Sequence, residues 1–115
     1  MTKITIYEDG SGSYLGFSYE GHAGAAQAGE DIVCAALSML GINTVNAIEK
    51  LALPDGGYED ASDPEKGYIS IRIKEPCHDS DLLIEAMIMG VNYLTEAYPQ
   101  YVRLKRKGGV TDDRI

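Results

Sequence analysis

The sequence predicts an α+β domain: a mixed or antiparallel sheet of about five strands with two helices packed on one face, in the order β-β-α-β-β-α-β. Short segments alternate apolar with polar residues, two longer segments repeat apolar residues at helical spacing, and clusters of Gly, Pro, Asp and Ser separate them. There is no internal repeat or linker, so residues 1–107 read as a single domain and residues 108–115 as a disordered tail.

Each element has its own signal. In residues 3–7, Ile4 and Ile6 alternate with Thr5 and Tyr7; in residues 15–19, Leu15, Phe17 and Tyr19 alternate with Gly16 and Ser18. The turn formers Asp9, Gly10, Ser11, Gly12 and Ser13 between them predict a hairpin. Over residues 31–51, Val33, Ala36, Leu37, Leu40 and Ile48 fall at helical spacing, and Pro54, Gly56 and Gly57 stop the helix. A short strand at residues 58–60 and a turn through Pro64 and Gly67 lead to a strong strand over residues 68–74. There Ile69, Ile71 and Ile73 oppose Tyr68, Ser70, Arg72 and Lys74. A second helix is predicted over residues 80–97, with Asp79, Ser80 and Asp81 as alternative N-caps and a stripe of Leu83, Met87, Leu94 and Ala97. Tyr98 and Pro99 end it. Residues 101–107 alternate apolar with basic residues as a final edge strand.

At 115 residues the chain can bury about two-thirds of its unfolded surface, so it needs no metal or disulfide to fold. No apolar run reaches the roughly 18 residues of a membrane span and the N-terminus lacks a signal-peptide core, which predicts a cytoplasmic protein without a membrane partner. The two cysteines, Cys34 and Cys77, therefore read as free thiols. The formal charge of −8 is unevenly spread: residues 1–98 hold 5 Lys/Arg against 16 Asp/Glu, whereas residues 99–115 hold 5 against 2. An acidic body disfavours phosphate over most of its surface, so no direct nucleic-acid binding is expected and a basic polypeptide partner fits better.

The chemistry concentrates in Gly21-His22-Ala23 and in Asp31-Ile32-Val33-Cys34-Ala35-Ala36-Leu37-Ser38. His22 is a candidate general base twelve residues before a candidate nucleophile, Cys34. The cysteine stands where a helix should begin, and free N–H groups and the positive end of the helix dipole favour a thiolate there. The small-residue segment 23–29 joins the pair and would gate the site if substrate ordered it.

This pattern, Gly-His-Ala, a small-residue loop, then Gly-x-Asp-Ile-Val-Cys-Ala-Ala-x-Ser, resembles the ribosomal-processing cysteine protease (Prp) family of bacteria over roughly residues 1–107. The resemblance implies a small α+β protein that dimerises and trims an N-terminal extension from a large-subunit ribosomal protein with a Cys/His pair. His22 and Cys34 match that pair, and Gly21, Asp31 and Ser38 match the surrounding signature. It further implies cleavage near an aromatic residue followed by a small one.

On this reading Cys34 attacks a peptide carbonyl, His22 protonates the leaving amine, and water activated by His22 hydrolyses the thioester. Backbone N–H groups of the first helical turn, Cys34's included, would hold the oxyanion. Asp31 and Ser38 share a helical face with Cys34. Because a carboxylate beside the thiolate would raise its pKa, Asp31 reads as an N-cap, an orienter of His22 or a binder of substrate N–H or cationic groups. Ser38 either hydrogen-bonds within the site or back-bonds to its own helix. Cys77-His78 is a decoy, since adjacent residues hardly reach the geometry of a nucleophile and its base. The four Cys and His residues lack zinc-ligand spacing, so neither metal nor cofactor is expected. Two other classes compete: a non-catalytic module holding a ribosome-assembly intermediate, which would tolerate loss of Cys34, and a thiol redox sensor, which would need no His22.

Overall fold

The structure, a computed structural model, describes residues 1–21 and 30–108. Five strands form one sheet: β1 (Thr2–Glu8), β2 (Tyr14–Glu20), β3 (Tyr58–Asp60), β4 (Tyr68–Ile73) and β5 (Val102–Gly108), in the spatial order β3-β4-β2-β1-β5. β1 and β2 form the expected antiparallel hairpin, and Asp9 fixes its turn by accepting hydrogen bonds from the amides of Ser11 and Ser13. β2 and β3 both pair antiparallel with β4, whereas β5 runs parallel to β1 as the expected edge. The sheet is therefore mixed, because a long helix between β4 and β5 returns the chain in its original direction.

Two helices cover one face. α1 (Glu30–Ala47) runs into a π-helical turn (Ile48–Ala52), and α2 (His78–Ala97) packs beside it. Ile4, Ile6, Phe17, Ile69, Ile71 and Ile73 of the sheet meet Val33, Leu37, Val45 and Ile48 of the first helical segment and Ile84, Met87, Ile88 and Val91 of the second. Each such side chain contributes about 1.5–3 kcal/mol by leaving water. The segment Asp31–Ala52 is long and apolar enough to cross a bilayer by length and composition, with a mean hydropathy of 1.5. Three charged residues, Asp31, Glu49 and Lys50, interrupt this segment, and its inner face packs on the sheet.

Three sequence expectations are corrected. α2 begins at His78, two residues early, because its N-cap is Cys77 and not Asp79, Ser80 or Asp81. Its buried stripe is Ile84, Met87, Ile88 and Val91; Leu83 and Leu94 only flank the core and Ala97 is exposed. The expected stripe was rotated because several apolar positions of this helix, Leu82 and Met89 among them, face solvent. Gly108 ends β5 and is not the start of a tail, and residues 109–115 lie outside the described residues.

Candidate functional site

The C-terminal end of β2 and the N-terminal ends of β1, β4 and β5 meet at one end of the sheet, where Lys3 pairs with Glu20 and Glu20 with Tyr68. There the backbones close tightly: the Gly21 amide donates to the Gly67 carbonyl, and a Cβ on Gly21 would stand 2.9 Å from that oxygen. Gly67 itself adopts φ +71°, which favours glycine. The signature glycine at position 21 thus has a steric cause, close approach of two chain segments.

α1 lies over this end, and a cavity of about 200 Å³ opens between helix and sheet. Cys34 and Ser38 border it from one face of α1, Thr2, Tyr19 and Ile69 from the sheet, and Gly21 and Gly67 from the pinched connections. Cys34 is partly buried, and its Sγ lies 3.5 Å from the Thr2 Oγ1, an arrangement in which either atom can donate. Thr2 is 3% exposed, so it forms a fixed wall of the cavity.

The Tyr19 hydroxyl is the one buried side-chain polar atom without a hydrogen-bond partner among the described residues. Burial pushes its phenol far above the usual tyrosine range, so it remains a neutral donor at physiological pH. Its ring is wedged against α1 at Gly41, where a Cβ would stand 3.0 Å from Tyr19 Cζ and 3.2 Å from Ile69 Cδ1. An unpaired buried hydroxyl costs about 1–3 kcal/mol. Other atoms of the same residue border the cavity that holds Cys34.

Of the residues singled out in the sequence, Gly21, Cys34 and Ser38 share the cavity. His22 and the segment 23–29 lie outside the described residues. Asp31 is exposed and does not border the cavity among the described residues. Because α1 starts at Glu30, Asp31 sits inside the first turn and is not its N-cap. Its carboxylate there favours the helix dipole. The same start makes Cys34 the fifth helical residue. Its amide is committed to the carbonyl of Glu30 by the α-helical ladder, which removes it from the oxyanion donors expected from sequence. Ser38 makes no back-bond to α1 among the described residues, unlike Thr44, whose Oγ1 donates to the Leu40 carbonyl at 2.6 Å. No group of three metal-ligating side chains occurs among the described residues.

Thr2 and Tyr19 were not singled out as site residues by sequence. Both carry an ordinary strand signal, a β-branched residue at a strand start and an aromatic in an apolar alternation, and only the packing of α1 makes them border the cavity.

The profile of the family described as cysteine protease Prp matches residues 1–103. Ribosomal processing cysteine protease Prp of Staphylococcus aureus (strain NCTC 8325 / PS 47) is 30% identical over 110 residues, covering 93% of this chain and 100% of its own. The protein of the same name from Bacillus subtilis (strain 168) is 30% identical over 111 residues, covering 90% and 96%. Among solved structures, SMU.848 from Streptococcus mutans superposes with a TM-score of 0.79 at 34% identity, over 94% of this chain and 95% of its own. The S. aureus Prp bearing a covalently linked product peptide gives 0.79 at 27% identity, over 93% and 100%.

Proposed function

The chain belongs to the Prp family of cysteine proteases, and from that premise we propose that Cys34 is its nucleophile and His22 its general acid and base. The enzyme is a cysteine protease, which sets aside the non-catalytic module and the redox sensor. One observation carries the assignment of the nucleophile: Cys34 borders the cavity at the end of the sheet, whereas the Cys77 sulfur is engaged in capping α2 through Ser80. His22 follows Gly21 directly in the chain, and Gly21 borders the same cavity.

The Cys34 thiolate, held by the Thr2 hydroxyl, attacks the scissile carbonyl carbon and forms a tetrahedral adduct. Collapse of the adduct breaks the C–N bond as His22 gives its proton to the departing amine, leaving a thioester on Cys34. Water then adds to the thioester, losing a proton to His22, and the acid product departs as the thiolate is restored. A relative observed with a covalently linked product peptide supports a route through a covalent enzyme. With the Cys34 amide committed to its helix, the neutral Tyr19 hydroxyl is the donor we assign to an acceptor on the substrate. Ser38, one turn after Cys34, supports the same site from the helix.

The substrate we assign is the N-terminal extension of a basic ribosomal protein, processed in the cytoplasm; the names of the relatives support the ribosomal-processing part of this reading. Acidic side chains of α2, among them Asp79, Asp81, Glu85 and Glu96, give the helix side a sign that steers a basic substrate. The homodimer implied by the family resemblance fits this helix side, where Met39, Met89 and Tyr93 are exposed, better than the sheet face or edge. Intact-mass analysis of an extended ribosomal protein incubated with the wild type, Cys34→Ala and His22→Ala tests the assignment. A single cleavage by the wild type alone is expected; cleavage by Cys34→Ala would overturn it.

A further inference from the structure

The face of the sheet turned away from the helices is cationic in a protein whose formal charge is −8. Along β1 and β5 the side chains that alternate with the core project there, and the parallel register sets them in rows, Lys3 beside Arg103, Thr5 beside Lys105 and Tyr7 beside Lys107. Lys3, Arg103 and Lys105 are exposed and Lys107 is half-buried. None of these four has an ion-pair partner among the described residues, whereas Arg106, on the opposite side of β5, is paired with Glu8 at 3.5 Å. The four border a shallow concavity of about 540 Å³, in which Glu20 is the one carboxylate among the described residues. At its margin Arg72 lies over the Tyr7 ring, 3.8 Å from the centroid, with Glu59 beside it in register on β3.

Folding does not account for this arrangement. Like charges set side by side on paired strands repel and destabilise the sheet. Lysines do protect edge strands from mispairing, but Lys3 belongs to the inner strand β1, which pairs on both sides. A second copy is also a poor occupant, because a two-fold contact through one patch would press these cations against their own counterparts.

We propose that this face binds the phosphate backbone of RNA. Cations at every second residue of a strand repeat at about 7 Å, which presents a row of positive charge to a row of phosphates. The choice of RNA rests on the reading that the substrate is a ribosomal protein, since such a substrate is assembled onto RNA. Thr2 and Lys3 point to opposite faces of β1, so an RNA held by Lys3 leaves the Cys34 cavity beyond Thr2 open. The acidic composition that argued against nucleic acid is thus partitioned in space, with the cations of β5 and β1 gathered on one side.

Fluorescence anisotropy with a labelled single-stranded RNA of about 12 nucleotides tests this. The full chain should bind at about 50 mM salt, with log affinity falling against log salt at a slope of about −3, four contacts at roughly 0.7 each. Lys105→Glu/Lys107→Glu should weaken binding about tenfold or more and flatten the slope, while melting like the wild type and hydrolysing a short peptide at the wild-type rate. No RNA binding by the wild type, equal binding by the double variant, or capture of phosphatidylglycerol vesicles in place of RNA would each overturn the proposal. Peptide hydrolysis is read separately, so failure of the protease reading and failure of this one give different results.

Discussion

Cys34 and Cys77 are both partly buried and both stand near the start of a long helix, yet their surroundings divide them. At Cys77 the sulfur accepts from the Ser80 amide at 3.4 Å, while the Cys77 amide donates to the Ser80 Oγ at 3.0 Å. That is a capping box with a thiol in the place usually taken by a hydroxyl, and its groups are spent on the helix. At Cys34, one turn inside α1, the helix needs nothing from the sulfur, which instead meets the Thr2 hydroxyl and a cavity. Proximity to a helix N-terminus therefore does not by itself make a thiol available; what matters is whether the backbone there has already claimed it.

The largest test of this contrast is activity. Cys34→Ser should lower the rate of peptide cleavage about a thousandfold or more, while Cys77→Ser, which keeps a capping acceptor, should stay within about twofold of wild type. A comparable loss in both, measured by steady-state hydrolysis, would break the distinction.

Next in size is Tyr19→Phe. Removing a buried hydroxyl with no partner among the described residues should raise the melting temperature, yet kcat/KM should fall about tenfold if that hydroxyl serves the substrate. A stabilised variant with unchanged kinetics would reduce Tyr19 to a packing residue.

At the other cysteine, Cys77→Ala should cost about 0.5–1 kcal/mol by stripping the Ser80 amide of its acceptor, lowering the melting temperature by a few degrees with no effect on kcat. Cys77→Ser should be at least as stable as wild type, a ranking that thermal denaturation of the two variants reads directly.

The smallest effect lies beyond the far end of α1. Burial, then the hydrogen bond and charge of Asp60, hold the Glu49 carboxyl above its usual range. For Asp60, burial pushes in the same direction, but hydrogen bonds from Ser62 and Glu49 outweigh it and leave that carboxyl low. A raised carboxyl pKa means that ionised Glu49 opposes folding at neutral pH, and that the penalty vanishes below its unfolded pKa, where both states are protonated. Glu49→Gln should therefore raise the melting temperature by about one or two degrees near pH 7, and the gain should fade as pH falls through the ordinary glutamate range.

Much of the molecule follows from local pattern alone. Alternation in residues 3–7, 15–19 and 68–74, the helical period around Leu37 and the glycines and prolines between them specify β1, β2, β4 and α1, because each segment can bury its apolar residues in only one regular geometry. The motif around Cys34 and the family it indicates are equally local. The tertiary structure decided what depends on neighbours distant in sequence. It ran β5 parallel to β1, selected Cys77 as a cap through Ser80, and brought Thr2 and Tyr19 to the Cys34 cavity. It also gathered Lys3 with Arg103, Lys105 and Lys107 on one face. Periodicity records which face of an element is buried but not what lies across from it, and a site is made of what lies across.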